Sequence, residues 1–324
     1  MTPSVRRRAW IAFIAVCVIW GTTYLGIKIA LETMPPFLLG GIRYVIAGVV
    51  LGGYVVARGQ RLPPLSEWGS LAWLGFLMIG LGNGGVTWAE QYLASGITAV
   101  VIATSPFWMV AVDALFPGGE RISARKVVGL LVGFAGIVLL VWPDITLAGA
   151  DSRLVLYGIL ALQIACLGWA IASSYTRRHA VTRNLLAVAA VQMFFGGACM
   201  MVVGTAVGEW TALSFNVRTT TALVYLIVAG SLVAFAAYSY ALRHLPIATV
   251  SLYTYVNPVI AVALGTLLLG EPFRLSMVWA AVLIAAGMLI VRPVPKGPWW
   301  AFLHGHRGAL AGARAVVRRL QRRG

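Results

Sequence analysis

The chain has 324 residues, of which 60% are hydrophobic and only 10% charged, against about 25% charged in an ordinary soluble domain. That balance excludes a water-soluble globule. The net charge of +16 raises nucleic acid as a partner, but the placement of the basic residues points elsewhere.

Three arginines, Arg6, Arg7 and Arg8, open the chain and an apolar run follows. This resembles a secretory signal, yet the run is too long and no small-x-small cleavage site follows it, so it reads as a retained first span. Apolar runs long enough to cross a bilayer then recur along the chain. The expected spans are 10–30, 36–57, 69–89, 95–116, 126–142, 154–176, 184–207, 220–241, 247–269 and 276–292. The connections between them are short and often carry Pro or Gly, as in Met34-Pro35-Pro36, Arg61-Leu62-Pro63-Pro64 and Pro117-Gly118-Gly119.

Orientation follows from Lys and Arg in the loops. With the N-terminus inside, 20 of the 25 basic residues fall on the cytoplasmic side. Only Lys28, Arg153, Arg218 and Arg274 fall outside, and Arg43 lies within a span. Both termini are therefore expected in the cytoplasm, and the basic pI needs no nucleic acid. The tail has no acidic residue after 297. It reads either as an amphipathic helix on the anionic inner leaflet or as a frayed basic end.

The chain repeats itself. Ile247 to Pro272 is an apolar run with Asn257-Pro258 in its middle and Gly270-Glu271 near its end. Ser95 to Glu120 echoes it with Ser105-Pro106 and Gly119-Glu120. A proline inside a helix removes a backbone hydrogen bond and kinks it, so Pro106 and Pro258 are expected helix kinks. Earlier matches keep the same order: Cys17 with Cys166, Trp20 with Trp169, Lys28 with Arg177, Gly48 with Gly197. Five spans per half is an odd number, so the second half enters the membrane from the opposite side. The expected fold is an all-α polytopic membrane protein of ten transmembrane helices in two inverted five-helix repeats, an arrangement common in secondary transporters. The expected layout is an N-terminus at 1–8, a first repeat at 9–142, a linker at 143–153, a second repeat at 154–293 and a basic tail at 294–324.

Several stretches carry a family likeness. The first span ends Ile-Trp-Gly-Thr-Thr-Tyr-Leu-Gly-Ile-Lys (19–28), and the second opens Pro-Pro-Phe-Leu-Leu-Gly-Gly-Ile-Arg-Tyr (35–44). The third contains Gly-Asn-Gly-Gly-Val-Thr-Trp-Ala-Glu-Gln-Tyr (82–92), and the ninth Tyr-Val-Asn-Pro-Val-Ile-Ala-Val-Ala-Leu-Gly (255–265). Together these resemble the EamA-type members of the drug/metabolite transporter superfamily, the ten-span bacterial inner-membrane permeases. The resemblance covers about 10–293. It implies two EamA-type repeats in a multi-pass protein of the inner membrane that exports small metabolites, amino acids or amphipathic drugs, with no cofactor.

Polar side chains inside the hydrocarbon are costly and face an interior. Residues four apart share a helix face, which groups Trp20 with Tyr24, Asn83 with Thr87 and Gln91, Trp169 with Ser173, and Tyr253 with Asn257. Ser231, Phe235 and Tyr238 form a further face. Trp20, Tyr24, Asn83, Thr87, Gln91, Trp169, Ser173, Tyr238, Tyr253 and Asn257 are the expected substrate-binding set around an aromatic, amide-bearing cavity. The bland alternative is hydroxyl back-bonding within helices and interfacial aromatic belts. Arg43 and Glu90 lie at compatible depth and are expected as a gate or ion pair; the alternative is structural, with Arg43 snorkelling or bonding free helix-end carbonyls. Gly48/Gly52 and Gly129/Gly133 are small-xxx-small pairs that serve bundle packing, with a homodimer face as the alternative.

A membrane-embedded enzyme and a channel are the competing classes. The nine acidic residues are scattered, no His-Glu-x-x-His or Gly-x-Ser-x-Gly occurs, and the three cysteines form no Cys-x-x-Cys pair. No metal, no enzymatic activity and no nucleic-acid partner are expected. The expected partners are a small-molecule substrate and the lipid bilayer.

Overall fold

A computed structural model describes residues 3–115, 123–147, 152–178, 184–245, 250 and 253–291. Among them every regular element is helical, as lipid demands, because a helix satisfies its own backbone groups without water. Glu120 and the basic tail at 294–324 lie outside the described residues.

In chain order, α1 is Pro3–Ala30 and α2 is Pro36–Ala57. Helix α3 is composite: α-helical Leu65–Gly75, π-helical Phe76–Asn83, then α-helical Gly84–Ala89. Helix α4 has two pieces, Ser95–Ile102 and Ser105–Leu115. Helix α5 is Ala124–Leu147, α6 is Ser152–Arg178 and α7 is Leu185–Ala206. Helix α8 repeats the pattern of α3, with α-helical Val217–Tyr225, π-helical Leu226–Val233 and α-helical Ala234–His244. Helix α9 is Tyr253–Leu269 and α10 is Leu275–Val291. Seven helical stretches, all within α1–α4 and α6–α8, are long and apolar enough to cross a membrane. Helices α9 and α10 contain the shorter apolar stretches Val256–Leu269 and Leu275–Gly287.

Local sequence explains the ends. Pro35 and Pro64 are extended N-caps of α2 and α3, and Pro36 fits the first helical position, where its missing N–H is not needed. Asn184 caps α7 by accepting from Leu186 N, and Asn216 with Thr219 forms a capping box on α8. Helix α5 runs past its expected end at 142, through Pro143 to Leu147.

The two proline helices differ. Pro258 sits inside α9, which continues through it. Pro106 does not kink one helix: α4 breaks at Ala103–Thr104 and Pro106 lies in the first turn of the second piece. Pro106 has no N–H to offer the carbonyl of Ile102, and the Ser105 hydroxyl donates to that carbonyl instead, at 2.6 Å. Thr104 does the same for Val101, at 2.7 Å. With those carbonyls held by side chains, the chain can leave the helix and restart.

Helix α2 packs along α7 and α5 along α10, while α1 lies against α8 and α9, and α6 against α3 and α4. The close pairs rest on glycine. A Cβ on Gly48 would stand 2.6 Å from Phe194 N, and one on Gly287 would stand 2.5 Å from Gly129 O. Gly48, Gly129 and Gly133 are thus used inside the bundle, which is the packing role rather than the dimer face.

Candidate functional site

Trp20 is the centre of an aromatic cluster. Its ring stands 5.5 Å from Phe235, 5.1 Å from Tyr238 and 4.8 Å from Tyr253, centroid to centroid. Tyr238 and Tyr253 meet edge to face at 6.0 Å. Edge-to-face pairs satisfy the ring quadrupoles at about 0.5–1.5 kcal/mol each. Trp20 Nε1 donates to the carbonyl of Gly230, at 3.1 Å. Gly230 lies in the π-helical stretch of α8, where the wider turn relaxes the usual i−4 ladder. All four rings are half-buried, so their faces and edges are not used up by packing. The cluster draws on α1, α8 and α9 together.

Asn257 braces this wall. With its amide turned to donate, Nδ2 reaches Tyr253 O at 3.0 Å and Cys17 O at 3.2 Å. It therefore ties α9 to α1 one turn from the rings. Tyr24, 7% exposed, packs on Ala99, Ala261 and Val86 and brings α3 and α4 against the same face of α1.

The expected residues of α3 divide. Asn83 Oδ1 accepts from the Tyr44 hydroxyl at 2.7 Å, and its Nδ2 donates to Met78 O at 3.2 Å, five residues back across the π turn. Thr87 spends its hydroxyl on Asn83 O at 2.6 Å, the back-bonding alternative. Gln91 is exposed and donates to Trp88 O. It lies past the end of α3, where the helical spacing that grouped it with Asn83 no longer applies, so it does not join the site. On α6, Trp169 and Ser173 are half-buried, and a Cβ on Gly82 would lie 3.6 Å from the Trp169 ring. Trp169 thus faces the π stretch of α3, as Trp20 faces that of α8.

The charged residues are arranged otherwise than expected. Arg43, 4% exposed, donates from Nε to Ser231 Oγ at 2.9 Å and lies 4.6 Å from the Tyr44 ring centre. It makes no direct bond to Glu90. Lys28 takes the structural role instead, donating from Nζ to the carbonyls of Glu90 at 2.6 Å and Leu93 at 2.9 Å. Those carbonyls lie just past the end of α3, in the turn that leads to α4. Both carboxyl oxygens of Glu90 are buried and have no hydrogen-bond partner.

Two acids that sequence reasoning did not assign a role hold the same end of the bundle. Glu271 accepts from Ser95 N at 2.9 Å, Ser95 Oγ at 2.8 Å and Gly96 N at 3.4 Å. Gly270, at φ +65°, ends α9, and Glu271 N then bonds back to Gly265 O at 3.0 Å. This left-handed closure aims the carboxylate at the open N–H groups of α4. Glu209 does the same for α2, accepting from Leu38 N at 2.7 Å and Phe37 N at 3.3 Å. The Gly-Glu pair was the available signal for Glu271; its partner on α4 was not visible in sequence.

A separate apolar cavity of about 580 Å³ opens beside Pro258, between α4, α9 and α10. Its lining includes the exposed Val259 and Leu267, and Thr266 is its one polar side chain. It offers little to orient a substrate, so the ring cluster is the better candidate. Among the described residues no group of His, Cys, Asp or Glu could hold a metal ion.

A family model for EamA-like transporters matches the chain twice, over residues 7–142 and 156–292. The chain belongs to the EamA-like transporter family. This family member is 35% identical to the uncharacterized inner membrane transporter YedA of Escherichia coli K12, over 86% of this chain and 89% of that one. It is 26% identical to the uncharacterized transporter YvbV of Bacillus subtilis, over 91% and 94%. It is 23% identical to a probable amino-acid metabolite efflux pump of Escherichia coli K12, over 88% and 94%. A crystal structure at 22% identity aligns with TM-score 0.62 over 87% of this chain and 96% of its own, a likeness of fold. The EamA-like chain is accordingly a multi-pass membrane transporter of small metabolites.

Proposed function

We propose that this transporter carries a small amphipathic metabolite, in the amino-acid size range, through the ring-lined space at Trp20 by alternating access. The observation that carries the reading is the junction of four half-buried rings from α1, α8 and α9. Rings on three helices can hold an apolar side chain while the Tyr238 and Tyr253 hydroxyls orient its polar end. An inner-membrane location agrees with the name of YedA, and export with the name of the probable amino-acid metabolite efflux pump.

In this reading all ten helices cross the membrane, both termini are cytoplasmic, and the halves 9–142 and 154–293 are inverted copies. The matched π stretches of α3 and α8 support the duplication, as do the pairings of α2 with α7 and α5 with α10. Inverted halves can exchange conformations and so open one site to either side in turn.

The experiment is uptake of radiolabelled L-phenylalanine, L-threonine and a neutral aromatic by proteoliposomes. Saturable flux that Trp20→Ala weakens about tenfold is the expected result. Conductance without saturation would make the protein a channel, and flux indifferent to Trp20→Ala would remove the site from the ring cluster.

A further inference from the structure

The reading above leaves one buried ionisable group without a function. Glu90 follows the last residue of the apolar stretch Leu65–Ala89 and is 0% exposed. Neither carboxyl oxygen has a hydrogen-bond partner. An ionised carboxylate sealed from water and given no donor is too costly to persist, and such a group takes up a proton instead.

The neighbouring groups are engaged elsewhere. The charged groups within electrostatic reach of Glu90 are Lys28 on α1, Arg43 on α2 and Glu271 after α9, and Tyr24 on α1 lies within the same reach. Lys28 holds main-chain carbonyls, one of them that of Glu90 itself. Arg43 holds Ser231. Glu271 holds the start of α4 and adds a second negative charge nearby. The bonds of Lys28 and Glu271 join the end of α1, the turn after α3, the start of α4 and the turn after α9, so this is the end that must loosen when the transporter opens there.

We propose that Glu90 is a proton-binding site whose charge state is tied to the opening of this end of the transporter, a step that rests on the transport reading above. In the sealed conformation the carboxyl holds the proton. When the end opens, water reaches Glu90 and the ties of Lys28 to the carbonyls of Glu90 and Leu93 break. The freed ammonium then stands next to the carboxylate, favours its ionised form and releases the proton to that side. No bond other than O–H forms or breaks, and the proton comes from water and returns to water when that end is open. The coupling is mechanical: the bonds that seal the end keep water, and the hydrogen bonds of the Lys28 ammonium, from the carboxyl.

Infrared spectroscopy of the purified full-length protein in lipid nanodiscs tests this without a known substrate, with the proton as the probe. At neutral pH the wild type should show the carbonyl stretch of a protonated carboxylic acid, and Glu90→Gln should lose it. Glu90→Asp, which keeps the acid, should retain a shifted band and guards against a mere folding defect. Absence of the band in the wild type, or its persistence in Glu90→Gln, would overturn the proposal. In vesicles, tritiated L-phenylalanine flux should vary with pH in the wild type and become flat in Glu90→Gln; flux that keeps its pH profile in that variant also overturns it. A wild type that shows the band but carries none of the tested amino acids would count against the substrate reading while leaving the proton site standing.

Discussion

Trp20 and Trp169 occupy the same place in the two halves, yet their surroundings are opposite. Each faces the π-helical stretch of the third helix in the other half, Trp20 through Gly230 and Trp169 beside Gly82. Beyond those stretches the sequences part. The second residue after the π turn is Phe235 on α8 but Gly85 on α3. A Cβ on Gly85 would meet Ala161 O at 3.0 Å and Ala165 Cβ at 3.1 Å, so α3 and α6 lie nearly backbone to backbone. On the other side Phe235 and Tyr238 extend to Trp20 and hold ring surface between α8 and α1. One scaffold, written twice, is closed by glycine on one side and furnished with rings on the other. Duplication supplies the frame, and divergence at a few positions supplies the site.

The comparison breaks most visibly at Gly85. Gly85→Phe puts a ring where a methyl barely fits, and overpacking typically costs about 1–3 kcal/mol or more. The expected outcome is loss of monodisperse protein on size exclusion, while Phe235→Gly still folds. Equal behaviour of the two variants would mean that the halves are packed alike. Next comes the pair of tryptophans. Losing the ring that would stack on the substrate, a contact of about 0.5–1.5 kcal/mol, should raise the half-saturation concentration by up to about tenfold in Trp20→Ala, one decade per 1.4 kcal/mol. Trp169→Ala should stay within about twofold in the same vesicle assay. A reversal of that order would move the site to the α3/α6 side.

A smaller effect is expected at the tied end. Glu271→Gln removes a charge from three donors at the start of α4 and should cost about 1–2 kcal/mol, seen as a lower Tm in a thermal-shift assay on purified protein. Unchanged Tm would show the clamp to be decorative. The smallest effect belongs to Gln91→Ala. An exposed side chain bonded only to its own turn should change stability and transport by less than about 0.5 kcal/mol; a transport defect would return Gln91 to the site.

Much of the fold was legible because lipid leaves the chain few choices. Long apolar runs had to be helices, and prolines at 35–36 and 63–64 had to stand at their starts. The π-helical stretches were not legible, since Gly80, Gly82 and Gly230 do not specify them locally. Pro106 and Pro258 looked alike in sequence, but only α4 breaks, where Thr104 and Ser105 take over the carbonyls. Helical spacing grouped Trp20 with Tyr24 on α1, and both pack against neighbouring helices, Trp20 on α8 and α9 and Tyr24 on α3, α4 and α9; the same spacing misled at Gln91, where the helix had already ended. Arg43 and Glu90 matched in depth, but depth says nothing of azimuth, and Arg43 turned to Ser231 while Lys28 turned to the end of α3.

Composition and periodicity alone determined that this protein lives in a bilayer as helices and that its halves are related, because burying backbone in hydrocarbon is the strongest demand on the chain. Which rings meet, which carboxyl caps which helix and which is left sealed without a partner were decided only by the packing of helices distant in sequence. Those contacts depend on rotation about each helix axis, and that rotation is set by the neighbouring helices.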